Sequence, residues 1–114
     1  KRFYARNKAM PVEAHAGTYS AVAHYLKTVK AAGTKDPDVI RVKMREIPVN
    51  DFYSDNVRIR EDGRVMRPSY IARVKAPSES TGEWDLYKIL QTVPPEQSWR
   101  PVSASSCPLL GKGA

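Results

Sequence analysis

The stretch EAHAGTYSAVAHYLKTVKAAG, residues 13–33, constrains this chain more than any other. Its apolar residues Tyr19, Val22, Ala23, Leu26 and Val29 recur at i, i+3, i+4 and i+7, the spacing of a helix that buries one stripe. Lys27 and Lys30 fall in its last turns, where cations suit the helix dipole, and Gly33 is placed as its C-terminal cap. His24 falls off the stripe and reads as a solvated surface residue whose removal changes nothing. A second helix follows, with Asp36 as N-cap and Pro37 at its first position. Val39, Ile40, Met44 and Ile47 form its apolar side, and Pro48 ends it. Upstream, Phe3 and Tyr4 sit among cations in a helical turn or two that Pro11 terminates.

Beyond Pro48 the period changes. In NVRIREDGRVM, Val57 and Ile59 alternate with Arg58 and Arg60 before a tight turn at Asp62-Gly63. PSYIARVKAP alternates again over Tyr70, Ala72 and Val74, and GEWDLYKILQTV is rich in aromatic and branched residues. These two segments, joined by SESTG, predict a β-hairpin. The tail from Pro94 has four prolines and no period, so extended coil is expected. A lone two-stranded hairpin is marginal in water, and three helices with so few strands make an incomplete fold. Isolated, such a chain is expected to self-associate or borrow strands from another polypeptide.

The 114 residues amount to one domain or less, with an ordinary 41% hydrophobic and 27% charged content. No apolar run approaches the ~20 residues that cross a bilayer. No signal peptide opens the chain, and KRFYARNK resembles the middle of a helix, as though cut from something longer. The net charge of +7 permits nucleic-acid binding, but the 19 basic residues are scattered among 12 acidic ones, as in RIREDGR, instead of forming a dense run. No phosphate loop, metal-spaced Cys or His set, or nucleophile elbow is present. His15 and His24, nine residues apart, fall on opposite helix faces and share no metal. No enzyme activity, cofactor or metal is expected.

Three runs, AGTYSAVAHYLKTVKAAGT, MREIPVNDFYSDNVRIREDGRV and SYIARVKAPSESTGEWDLYKILQTVP, together resemble the C-terminal portion of a type I solute-binding protein. These are extracytoplasmic receptors of ABC importers, of the branched-chain amino-acid-binding family. The similarity covers nearly the whole chain and rests on the order and spacing of segments, with no single diagnostic motif. It implies an α/β fold of two lobes joined by crossovers, of which this chain holds the last part. Residues 1–60 then belong to the first lobe, 61–68 to a hinge crossover, 69–93 to a hairpin of the second lobe and 94–114 to an extended tail. Most parallel strands and most ligand contacts of the family are absent.

The resemblance also implies a function: capture of a small carboxylate-bearing solute, such as an amino acid or an aromatic or other organic acid, between the lobes in the periplasm, for delivery to membrane subunits. The start of the long helix faces that cleft in the family, and His15, Ala16, Gly17 and Tyr19 match the position. Free N–H groups there suit a carboxylate, Gly17 permits close approach, His15 offers a hydrogen bond and Tyr19 an aromatic wall. The plainer reading makes Thr18 the N-cap and Tyr19 the first core residue. The alternative function is a stand-alone basic module for nucleic acid or an acidic partner. An extracytoplasmic setting favours disulfides, so Cys107, the single cysteine, is expected to pair with a cysteine encoded upstream of Lys1. Non-reducing peptide mapping of the full-length protein checks this, and quantitative alkylation of Cys107 without reduction contradicts it.

Overall fold

A computed structural model describes residues 1–106 and Leu110. Cys107 lies outside the described residues, and with it the expected disulfide. Two compact units divide the chain between Met66 and Arg67, with Ser105 and Ser106 rejoining the first.

The first unit carries three helices, α1 (Arg2–Asn7), α2 (Glu13–Ala32) and α3 (Pro37–Glu46). The signals read from sequence set the ends of two of them. Gly33 closes α2 at φ 64°, with its N–H on the Val29 carbonyl, a left-handed geometry that glycine adopts without penalty. Asp36 Oδ1 accepts from the Asp38 and Val39 N–H groups at the entrance to α3, with Pro37 at its first position.

The face that α2 buries is not the expected one. Ser20, His24 and Thr28, spaced four apart, are its buried residues, whereas Tyr19, Val22 and Leu26 are exposed. His24 is corrected from surface residue to buried residue, at 3% exposure. The cause lies in α3. The Met44 carbonyl would normally accept from the residue four positions on, but that residue is Pro48, which has no N–H. His24 Nε2–H supplies the missing donor, at 3.0 Å. An imidazole from one helix thus satisfies the end of its neighbour. Thr28 satisfies itself locally, its hydroxyl donating to the Tyr25 carbonyl at 2.7 Å.

After α3 the chain forms two isolated antiparallel bridges, Val49–Val57 and Ile59–Val65, where alternation had suggested a strand. The Asp62-Gly63 turn occurs as expected, with Gly63 at φ 81° and its N–H on the Arg60 carbonyl. Arg60 forks onto both Asp62 oxygens, at 2.9 and 2.6 Å, and Arg45 donates to the Glu61 carbonyl, tying the turn to α3. Among the described residues, the buried apolar ones, Ile40, Val49, Val57 and Met66, all belong to this unit.

The second unit is the predicted hairpin, β1 (Ser69–Val74) antiparallel to β2 (Tyr87–Val93). Its register shifts between Ile71 and Ala72, leaving Leu90 as the extra residue of a bulge. Tyr70, Ala72 and Val74 oppose Thr92, Ile89 and Tyr87, so one face of the ribbon is apolar, and it is exposed. Ion pairs shape the connection: Arg73 with Glu79, and Lys75 with both oxygens of Asp85 at 2.6 and 2.7 Å. The tail is not wholly coil. Pro95–Ser98 form a helical turn, α4, and Val102–Ala104 a 3-10 turn, while Trp99 Nε1–H donates to the Arg67 carbonyl. A proline start favours α4 because its fixed φ suits the first helical turn.

Two predictions follow from these contacts. His24→Ala strands a buried carbonyl, so chemical denaturation is expected to show a loss of about 1–3 kcal/mol. An unchanged midpoint removes His24 from the α2–α3 lock. The Asp85 carboxyl is lowered to about 2, chiefly by its Lys75 hydrogen bond and then by the Thr81 N–H and hydroxyl. A lowered pKa in the folded state means stability that is complete above the ordinary aspartate pKa of about 4 and lost as pH falls toward 2. The stability difference between wild type and Asp85→Asn is therefore expected to shrink between pH 5 and pH 2, read by thermal unfolding at each pH. A constant difference contradicts the assignment.

Candidate functional site

The entrance to α2 is built around His15. The helix begins at Glu13 with Val12 as N-cap, so His15 occupies the third helical position and Thr18 lies inside the helix. Val12 has no side-chain acceptor to offer. Its own N–H donates to His15 Nδ1 at 3.1 Å, while the His15 N–H turns back to the Val12 carbonyl at 3.0 Å. This is one half of a capping box, with imidazole in the role usually taken by Glu or Gln. Because Nδ1 accepts, the neutral ring carries its proton on Nε2, and a hydrogen-bond donor is presented away from the cap. The Phe3 ring of α1 lies against the imidazole, centroids 5.0 Å apart and planes at 45°.

Helical geometry decides which expected residues meet. His15 and Tyr19 are four apart and share one side of α2. Gly17 stands about 200° round from His15 at ~100° per residue, as does Glu13 in the other direction, and Ala16 is about 100° away. Thus His15 and Tyr19 form one surface, while Ala16 and Gly17 fall elsewhere on the helix. Gly17 has open space where a side chain would start. Its N–H lies beyond the four positions that lack an intrahelical acceptor, so it is not one of the free donors anticipated there.

The surface continues through a residue that the expected set omits. Phe52, 70% exposed, lies against Tyr19 with centroids 5.1 Å apart and planes at 59°, and against Tyr53 at 6.3 Å. It rides on a heavily bonded loop. The Val49–Val57 bridge closes the base, and Asn50 Oδ1 accepts the Asn56 N–H, with Asn56 in the left-handed region at φ 50°. Asp51 Oδ1 takes the N–H groups of both Tyr53 and Ser54 at 2.8 Å. Lys27 reaches from α2 to the Asn50 carbonyl. Such an over-determined turn holds an aromatic ring in solvent at little further entropic cost when something binds it. The Asn50-Asp51 pair in VNDFYSDN is the sequence signal for this turn. Nothing local in the sequence, however, points the turn at Tyr19. Among the described residues no group of three His, Cys, Asp or Glu side chains is poised around a metal.

Comparison with known proteins adds three findings. A family model described as periplasmic binding protein matches residues 1–83. A periplasmic binding protein from Burkholderia mallei is 38% identical, with a TM-score of 0.90 over 96% of this chain. A branched chain amino acid ABC transporter periplasmic ligand-binding protein from Burkholderia xenovorans is 39% identical, with a TM-score of 0.85 over 94% of the chain. In both cases the chain spans 29% of the length of the relative. No curated protein matches it.

Proposed function

Because the chain belongs to the periplasmic binding protein family, we propose that it forms part of the solute receptor of an ABC importer, working in the periplasm without chemistry of its own. Its solute is a small molecule bearing a carboxylate, held between two lobes and handed to the importer's membrane subunits. Closure of the lobes about a hinge is the mode of capture.

The observation that carries this reading is the His15 ring. Its Nδ1 is occupied by the Val12 N–H, so its Nε2–H is a donor fixed in identity and direction by the backbone. A donor toward a carboxylate makes a charge-assisted bond, stronger than a neutral pair. The Glu13 carboxylate stands on the opposite side of α2 and leaves this donor to the solute. Tyr19 and Phe52 supply the apolar wall beside it. The basic-module alternative draws no comparable support: Arg60, Arg73 and Lys75 are engaged by Asp62, Glu79 and Asp85 and do not form a phosphate-tracking row.

Titration calorimetry on a polypeptide of full family length tests the proposal, with L-leucine and benzoate as probes. His15→Ala is expected to weaken binding of the carboxylate by on the order of 1 kcal/mol, about fivefold. Phe52→Ala is expected to weaken the more apolar probe more than the other. Unchanged affinity and selectivity in His15→Ala would take the imidazole out of the site.

A further inference from the structure

Gly63 is the one glycine of the chain that follows an aspartate, and no asparagine precedes a glycine. That pairing is chemically fragile. A glycine has no Cβ to shield its amide nitrogen, so the nitrogen reaches the side-chain carboxyl of the preceding aspartate without hindrance. After losing its proton, the Gly63 nitrogen attacks Asp62 Cγ. An N–Cγ bond forms, and a Cγ–O bond breaks as one carboxyl oxygen leaves in a water molecule. Water then opens the resulting succinimide ring. Where it breaks the bond between the ring nitrogen and the main-chain carbonyl carbon of Asp62, the chain runs on through the side-chain carboxyl and is one methylene longer. The water lost is regained, so the change is an isomerisation that needs no oxidant or reductant.

We propose that Asp62-Gly63 is a site at which this protein ages to isoaspartate, and that the Arg60 fork holds the site dormant while the turn is folded. The fork immobilises the electrophile. Arg60 Nε donates to Oδ1 at 2.9 Å and Nη2 to Oδ2 at 2.6 Å, and the Arg64 N–H adds a bond to Oδ1 at 3.2 Å. Cγ does not swing onto the Gly63 nitrogen until these bonds part. The nucleophile is engaged as well, its N–H donating to the Arg60 carbonyl at 2.9 Å. The leaving oxygen departs as water only from a protonated carboxyl. Chiefly the Arg60 hydrogen bond, and then the Arg64 N–H, hold this carboxyl below the usual carboxylate range against the opposing effect of burial. The Arg60 and Asp62 side chains are 13% and 16% exposed, so water competes weakly for the fork. Beyond them the turn is closed by the Arg60 N–H on the Arg64 carbonyl and by the Ile59–Val65 bridge, and Arg45 ties it to α3. A methylene inserted into so short a turn breaks this closure, so isomerisation unfastens the turn once it occurs. None of this depends on the solute reading.

The test ages a polypeptide of full family length beside the free peptide RIREDGRVM in warm neutral buffer. Isoaspartate at Asp62 is read by peptide mapping with an isoaspartyl-specific methyltransferase. The folded protein is expected to accumulate it at least about tenfold more slowly than the peptide, because reaction waits for the turn to open. Arg60→Gln removes the charge and the fork, and is expected to age about tenfold faster than the unsubstituted protein. Arg60→Lys keeps the charge without the fork, and is also expected to age faster. A thermal melt of each variant establishes that it folds. Equal rates in the unsubstituted folded protein and the peptide overturn the proposal. So does a slow rate retained by both folded Arg60 variants, since the backbone of the turn then suffices without the fork. The comparison with the peptide involves no substitution, and it decides the matter even where an Arg60 variant does not fold.

Discussion

The hydrogen bond from His24 to the Met44 carbonyl is the contact on which the first unit depends. Pro48 both ends α3 and deprives it of a donor, so the helix that stops so sharply also leaves a carbonyl to be satisfied inside the protein. An unsatisfied buried carbonyl costs about 1–3 kcal/mol, whereas the bond that replaces it gains rather less. The bond therefore contributes more to choosing the packing than to raw stability. Only one register of α2 against α3 places an imidazole N–H at that carbonyl. Sliding either helix by a residue leaves both groups unpaired. Apolar contact alone, here centred on Ile40, is far less particular about register.

That register carries forward to the loop after α3. With Pro48 set by the α2–α3 lock, the chain enters the Val49–Val57 bridge at a defined place, and Lys27 ties Asn50 back to α2. Asn50 Oδ1 and Asp51 Oδ1 then accept from the backbone of the loop itself. The result is a Phe52 ring delivered to Tyr19 by a series of polar constraints, none of which involves either ring. Few apolar residues are fully buried among those described in this unit, so polar specificity takes over the positioning that a large core would otherwise supply.

Which parts of this were legible in the sequence follows from the range of the forces involved. Asp36, Pro37 and Gly33 act within one turn of themselves, and the ends of α2 and α3 fall where they indicate. The hairpin was legible because alternation over Tyr70, Ala72 and Val74 repeats in its partner across a loop. Val57 and Ile59 alternate equally well, yet the tight turn at Gly63 leaves room for a single bridge instead of a ladder. The burial of His24 depends on a proline 24 positions away, and no periodicity conveys that. The clue was present in another form: a proline four residues after Met44 announces an orphan carbonyl, without saying which side chain answers it. At the site, helical spacing alone relates His15 to Tyr19, while Phe52 required the whole path of the loop.

The inverted amphipathicity of α2 shows what a hydrophobic stripe does and does not encode. Periodicity states that a helix has a face to bury, and it is silent on which neighbour in the sequence, if any, buries it. Here the nearest helix in the chain meets the polar side at His24, whose ring donates to the Met44 carbonyl, with Ser20 and Thr28 buried on the same side. Small polar residues suit a near neighbour joined by a short turn, where loop closure costs little and geometry is already restricted. The larger aliphatic side is exposed at Val22 and Leu26. The polar side of α2 thus carries its directional contact with a near neighbour, while periodicity alone describes its apolar side.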